Sequence, residues 1–390
     1  MSLLGLDIRI IGGGIGGLAA ALCLSGRGAQ VTVLEQAEAI RDTGAGLQIS
    51  PNGLRVIEAL GLAADLAARS MRGRAVSLRD FRQGDEVARL DLGLLPEDQR
   101  YFFVHRADLI DLLAGEARAR GVRFRLLQQV SEVQPGARPE LVMANGDTCT
   151  ADLVIGADGL HSRLRPALNG AAAPKFTGQV AWRAVIPNVT DQGAEVQVHM
   201  GPGRHLVCYP LRDGRLNLVA AQERKAWAAE GWQHGDDPAN LRAAFSGFSP
   251  PVQRMLGAVG EVNLWGLFRH QVATRWVGGN CALLGDAAHP TLPYLAQGAN
   301  MALEDAWALG ACLAGHDDSA AGLAAYQSAR RDRCRRIVET ATGNAWKYHL
   351  RPGPLRLAAH TALRLGARLA PARALGQFDW LYGYDVTRAV

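Results

Sequence analysis

One stretch limits this chain more than any other: DIRIIGGGIGGLAAALCLSGRGAQVTVLEQ, Asp7 to Gln36. An apolar strand is expected over Ile8–Ile11. A glycine-rich turn follows, then a helix of small residues over Leu18–Ser25 and a second strand over Val31–Leu34 that ends at Glu35. Gly12, Gly14 and Gly17 fit the spacing GxGxxG inside that strand–turn–helix–strand frame. Each glycine has a separate physical task. Gly12 permits the tight turn, Gly14 lets backbone approach a pyrophosphate, and Gly17 allows close packing behind the turn. The helix start then offers free N–H groups and a favourable dipole to a phosphate. Glu35 is placed to accept both hydroxyls of an adenosine ribose without a 2′-phosphate. The motif alone does not separate FAD from NAD.

The bulk composition excludes several classes. A chain of 390 residues with 48% hydrophobic and 20% charged side chains is an ordinary globular protein of two or three folding units. Its formal charge of +5 comes from dispersed arginines, with lysine only at Lys175, Lys225 and Lys347. Such scatter argues against nucleic acid and suits small anionic ligands. The densest basic run, RRDRCRR at 330–336, reads as a solvated helix face, with support of a homodimer as the other reading; monomer and homodimer both stay open. The cysteines show no CxxC pairing, and Cys23 and Cys281 sit in apolar runs. No disulfide framework or metal site is expected. The N-terminus has neither a basic leader nor an unbroken apolar span, so no membrane association and a cytoplasmic location are expected.

Residues from about 174 to 272 alternate apolar and polar side chains, as half-buried antiparallel strands do. In EVQVHMGPGRHLVCYPLRDGRLNLVAAQE, turns at GPG and RDG separate three strands. Period two puts His205, Val207 and Tyr209 on one face and Leu206, Cys208 and Pro210 on the other.

Two further motifs decide the class. ADLVIGADGLHSRLR, Ala151–Arg165, runs a strand into Gly156-Ala157-Asp158-Gly159, and LLGDAAHPTLPYLAQGANMALEDA, Leu283–Ala306, delivers Asp286 to a proline-containing loop before a helix from about Asn300. With HRADLIDLLA from His105, and in this order, they resemble the single-component flavoprotein aromatic hydroxylases, the p-hydroxybenzoate hydroxylase family, over almost the whole chain. GAGLQISPNGLRVIEALGL (Gly44–Leu62), VAWRAVIPN (Val180–Asn188) and FDWLYGYD (Phe378–Asp385) look most like salicylate hydroxylase and 3-hydroxybenzoate 6-hydroxylase.

The resemblance implies an α/β, GxGxxG-type FAD-binding domain (1–173, with some substrate-pocket segments, and 273–390, the latter with a C-terminal helical tail). An antiparallel β-sheet substrate domain (174–272) is inserted in it. It implies FAD held by Gly12, Gly14, Ile15, Gly16, Gly17, Glu35, Gln36, Leu47, Gln48, Arg106, Val130, Asp158, Asp286, Gly298, Ala299 and Asn300. No second GxGxxG occurs, so NADH or NADPH, with NADH favoured, would act as a transient co-substrate. The implied chemistry is reduction of FAD, addition of O₂ to give a flavin C4a-hydroperoxide, and attack by an activated aromatic ring. Proton handling or orientation falls to Tyr209, His205 and Gln297, and Pro293 borders the flavin. Trp182, Arg183, Cys208 and Leu47 form the expected substrate pocket; the 3-hydroxybenzoate 6-hydroxylase pattern carries a basic histidine where this chain has Cys208. The end at Val390 implies no thioredoxin-like domain of the phenol-hydroxylase kind. Flavin halogenases are set aside because Ala184 stands where their WxWxIP motif has its second tryptophan. A flavin reductase or dehydrogenase, or a non-catalytic nucleotide-binding protein, would keep the three motifs.

Overall fold

The computed structural model describes residues 3–40, 45–225 and 234–390. Gly44, the first residue of the run ending at Leu62, lies outside them. The first strand, Asp7–Ile11, sits between Gln30–Leu34 and Leu153–Gly156, parallel to both. Arg123–Arg125 and Cys281–Leu283 extend this sheet on either side, and a short antiparallel strand, Val277–Gly278, closes it. Its central strands are mostly buried, as parallel strands covered on both faces must be, while Arg123–Arg125 and Val277–Gly278 at its edges are not. Both signature motifs, ADG and GD, therefore leave the same sheet edge beside the glycine turn.

An eight-stranded sheet lies above the ends of those strands. From one edge to the other it runs His234–Asp236, Val262–Arg269, Lys175–Pro187, Arg215–Glu223, Arg204–Pro210, Glu195–Gly201, Ala75–Asp80 and Glu86–Asp91. The predicted hairpins are present, with Gly201 opposite Arg204 and a left-handed turn at Asp213 and Gly214. One pair departs from the antiparallel pattern: Glu195–Gly201 runs parallel to Ala75–Asp80, a strand drawn from far earlier in the chain.

Two helices, Pro238–Ala244 and Pro250–Gly257, cover the outer face of this sheet and bury Leu206, Cys208, Trp182, Leu218 and Phe245 in a core of their own. The inner face looks down on the glycine turn. The helix Gly298–Gly315 packs on the glycine helix Ile15–Ser25, and the long helix Ser319–Tyr348 packs on it in turn.

The run 330–336 is not a uniformly solvated face. Arg330 is fully buried between Glu304 and Asp305 at 2.6 and 2.8 Å, Arg333 reaches Glu304 at 2.8 Å, and Cys334 is buried beside them. Only Asp332, Arg335 and Arg336 turn fully outward. The basic run is matched to an acidic pair in the neighbouring helix. Among the described residues no helix is long and apolar enough to cross a membrane.

Candidate active site

The glycine turn is built as the spacing requires. Gly12 has φ of 100°, and a Cβ there would lie 2.6 Å from the carbonyl oxygen of Ala157. A Cβ on Gly17 would lie 2.0 Å from the carbonyl oxygen of Gly12, so this glycine closes the turn on itself. Gly14 differs: apart from its own neighbours in the chain, no protein atom lies within 4 Å of the position its Cβ would take. That open side faces a cavity of about 330 Å³ between the two sheets, lined by Gly14, Ile15 and Gly16. Such an opening at a helix start is the shape a pyrophosphate needs.

Glu35 leaves the end of its strand and accepts from the backbone N–H of Gly13 (2.7 Å) and of Ala37 (2.9 Å). Those bonds fix the carboxylate beside the turn and leave lone pairs for ribose hydroxyls. Asp158 accepts from the Arg163 N–H at 2.6 Å, while its Oδ1 is buried with no hydrogen-bond partner among the described residues. Burial pushes its carboxyl above the usual range.

Asp286 opens to the cavity, yet the protein packed around it raises its carboxyl by burial, against the pull of His289, Arg106 and Arg183. A buried carboxylate oxygen without a partner, a second carboxylate at the cavity and an unfilled glycine cradle all fit FAD. Gly14, Gly16, Glu35, Asp158 and Asp286 would hold its ribose, pyrophosphate and ribityl parts.

The floor continues through Leu47, Gln48, Arg106, Pro293, Gln297, Gly298 and Ala299. The helix begins at Gly298, and Ala296 just before it holds a left-handed φ of 53°, which a non-glycine residue adopts only where its surroundings enforce it. Asn300 does not border the cavity. Its side chain accepts from the Ser50 N–H (3.0 Å) and donates to the carbonyls of Gln48 (3.0 Å) and Ala296 (2.8 Å). Gln297 borders the cavity with its amide already engaged: it donates to Ser50 Oγ (2.9 Å) and accepts from Asn52 (3.0 Å). Asn52 donates in turn to Glu304 at 2.6 Å. Ser50, Asn52 and Glu304 were not singled out from the sequence; the adjacent acids Glu304 and Asp305 in an otherwise apolar helix were the available signal.

The roof is supplied by Arg183, His205, Val207, Tyr209, Trp265 and Tyr294. Arg183 stacks over the Trp265 ring at 4.3 Å. Tyr209 packs on Phe103 with ring centroids 5.3 Å apart, and Gly46 approaches so closely that a Cβ there would meet the Tyr209 ring at 2.7 Å. Burial pushes the Tyr209 phenol well up, so it stays protonated at neutral pH.

Trp182 and Cys208, expected in the pocket, are not there. Both point to the helix-covered face. Trp182 donates to Asp236 at 2.6 Å, and the Cys208 thiol donates to Gln192 Oε1 at 3.1 Å, with burial pushing its pKa up to about 12. Strand alternation explains this: once His205 and Tyr209 face the cavity, Cys208 cannot. A basic side chain at position 208 would be buried in the wrong layer, whereas His205 reaches the cavity. Of the remaining expected cofactor residues, Gly12, Gly17, Glu35 and Asp158 lie behind or beside the turn. Gln36 is exposed at the strand end, and Val130 is buried in the core away from the cavity.

Although no metal site was expected, one buried cluster has ligand-type groups: His289, Asp305 and Cys334, with ligand atoms within 4.8 Å of one another. The Arg330 guanidinium already supplies the positive charge there, bonded to Asp305 at 2.8 Å. Burial opposes the ionised carboxyl, but His289 and Arg330 hold Asp305 down to about 2. A second hollow of about 330 Å³, lined by Ser25, Arg120 and Arg123 among others, lies at the far end of the glycine helix and meets none of the glycines of the turn.

A dinucleotide cradle under a β-sheet roof, with a polar-edged cavity between them, is the architecture of FAD-dependent aromatic-ring monooxygenases. The FAD binding domain family model matches residues 6–341, so the chain belongs to that family. It is 35% identical to a 3-amino-4-hydroxybenzoate 2-monooxygenase of Streptomyces platensis, covering 97% of this chain and 96% of the relative. It is 33% identical to the 3-hydroxybenzoate 6-hydroxylase of Klebsiella oxytoca, over 96% of each. The FAD- and uric acid-bound structure of HpxO from Klebsiella pneumoniae superposes with a TM-score of 0.84 at 29% identity, over 95% of this chain and 96% of that one.

Proposed function

We propose that the protein uses NADH or NADPH, with NADH favoured, and O₂ to hydroxylate a small phenolic or heteroaromatic acid. The observation that carries this reading is that Arg183, His205 and Tyr209 share one cavity with the open side of Gly14 and with Asp286. Bound FAD would supply the two-electron exchange with the nicotinamide and the activation of O₂. The chain's own residues do the rest. Arg183, braced on Trp265, meets the substrate carboxylate. His205 takes the proton of the ring hydroxyl, which raises the electron density of the ring. Tyr209 and Gln297 orient the substrate, and Leu292, Pro293 and Leu267 keep water from the reacting atoms. Relatives named for 3-amino-4-hydroxybenzoate, 6-hydroxynicotinate and 3-hydroxybenzoate support an acid bearing a hydroxyl.

The test is to follow NADH and NADPH oxidation together with peroxide release, on FAD-loaded protein, across those three acids and salicylate. One acid should accelerate reductant use with little peroxide. A flat rate, or electrons sent wholly to peroxide with every acid, contradicts the substrate class and favours a reductase.

A further inference from the structure

We propose that His205, His349 and Glu223 form a proton path between the cavity and solvent. His205 lies on the roof strand and is 1% exposed, so its ring does not exchange protons directly with bulk water. Its Nδ1 lies 2.7 Å from Nε2 of His349, the residue that caps the long helix. The other nitrogen of His349, Nδ1, lies 2.8 Å from Glu223 Oε1. Exposure rises sharply along this line: the His349 side chain is 2% exposed and that of Glu223 is 51% exposed. The three groups thus lead from a buried residue of the cavity wall to open water.

The hydrogen bonds fix a direction. The Glu223 carboxylate only accepts, so His349 donates to it from Nδ1 and keeps its Nε2 lone pair. His205 must then donate from Nδ1, which leaves its own Nε2 lone pair for a substrate proton. When a hydroxyl proton arrives at that nitrogen, the Nδ1 proton of His205 passes to His349 and the Nδ1 proton of His349 passes to Glu223. One proton enters at His205 and one leaves from Glu223 to solvent, which returns Glu223 to a carboxylate, so the only new charge in the protein is that of the substrate oxygen. Reprotonation of the product runs the chain backwards and restores both tautomers.

The surroundings favour passage over storage. Tyr294 and Tyr348 pack on His205 with ring centroids at 5.1 and 5.3 Å, and Arg204 lies near His349. Burial, then the neighbouring His349, holds the His205 imidazole well below its ordinary range. Burial and Arg204 also lower His349, but Glu223 pulls it back up. Both rings are thus held neutral, and only the outer one has a carboxylate to receive its proton.

This inference rests on the proposed role of His205 as the base, and its test separates the two. FAD-loaded protein is mixed rapidly with 3-amino-4-hydroxybenzoate, 3-hydroxybenzoate or 6-hydroxynicotinate in weak buffer containing a pH-indicator dye. Flavin fluorescence reports binding in the same mixture. The wild type should release a proton as the acid binds. His349→Gln should slow that release about a hundredfold and Glu223→Gln about tenfold, with affinity unchanged and with Glu223→Asp restoring the rate. If His349→Gln does not fold, the surface variant Glu223→Gln carries the test. Wild-type release in both relay variants, with slow release in His205→Asn, overturns the path and leaves the base in place. Wild-type release in His205→Asn, or none with any of the three acids, overturns the base and the path together.

Discussion

The floor and the roof of the cavity are made by different means. At the floor the contacts come from backbone and strand ends: a glycine turn that admits no Cβ at Gly12 and Gly17, a helix start, and carboxylates at strand ends. At the roof they come from side chains that alternate along strands, so that neighbours in sequence serve opposite layers. Substitution at the floor acts on the cofactor, and on folding as well where the glycine packs against backbone, as at Gly12 and Gly17. Substitution at the roof can change chemistry on one face and only packing on the other.

The largest effect should follow Gly17→Ala, because the new methyl would sit 2.0 Å from the Gly12 carbonyl oxygen. Loss of both bound flavin and soluble folded protein is expected, measured by flavin absorbance and yield. Gly14→Ala sharpens the comparison: with no protein atom within 4 Å apart from its own neighbours in the chain, it should fold normally while losing about tenfold in FAD affinity, about 1.4 kcal/mol.

Next come the two faces of the roof strand. His205→Asn should lower hydroxylation by about 10²- to 10⁴-fold with flavin retained, whereas Cys208→Ala should leave turnover within about twofold. Its cost should appear instead as lower thermal stability, about 1–2 kcal/mol from the small cavity and the lost bond to Gln192. Equal losses of turnover would show that the two faces are not separate.

Between floor and roof lies the buried charge network. Arg330→Met leaves Glu304 and Asp305 buried with weaker compensation, and about 3–5 kcal/mol of stability should be lost in denaturant titration.

The last effect appears only as the pH is lowered. Burial of His199 on Glu195–Gly201, with Arg79 nearby, pushes its pKa down to about 3. The unfolded chain binds that proton near pH 6.5 while the folded chain refuses it. The stability this provides is therefore complete above 6.5 and is lost as pH falls from there towards 3, at about 1.4 kcal/mol per pH unit. His199→Asn should make that limb of the stability–pH curve shallower.

The same contrast explains what was legible in the sequence. Backbone requirements leave a direct trace, because Gly12 and Gly17 are the residues that the turn permits and Gly14 keeps its outer side open. The strands on either side of them, and Asp286 at the end of its own, follow from that frame. Alternation along Arg204–Pro210 sorted His205 from Cys208 but carried no sign of which face meets the cavity. That choice depends on the helices Pro238–Ala244 and Pro250–Gly257, which claim the other side. Trp182 was misplaced for the same reason. The run 330–336 looked solvated because its partners, Glu304 and Asp305, lie on another helix. The chain His205–His349–Glu223 joins residues more than a hundred positions apart, and no local pattern marks it.

The most direct measurement is to supply isotopically labelled O₂ and NADH to the FAD-loaded protein with the acid that stimulates it best, and to weigh the product. One labelled oxygen atom in the aromatic product, in step with reductant used, is the expected result. Label found only in peroxide or water, with the acid recovered unchanged, would contradict ring hydroxylation.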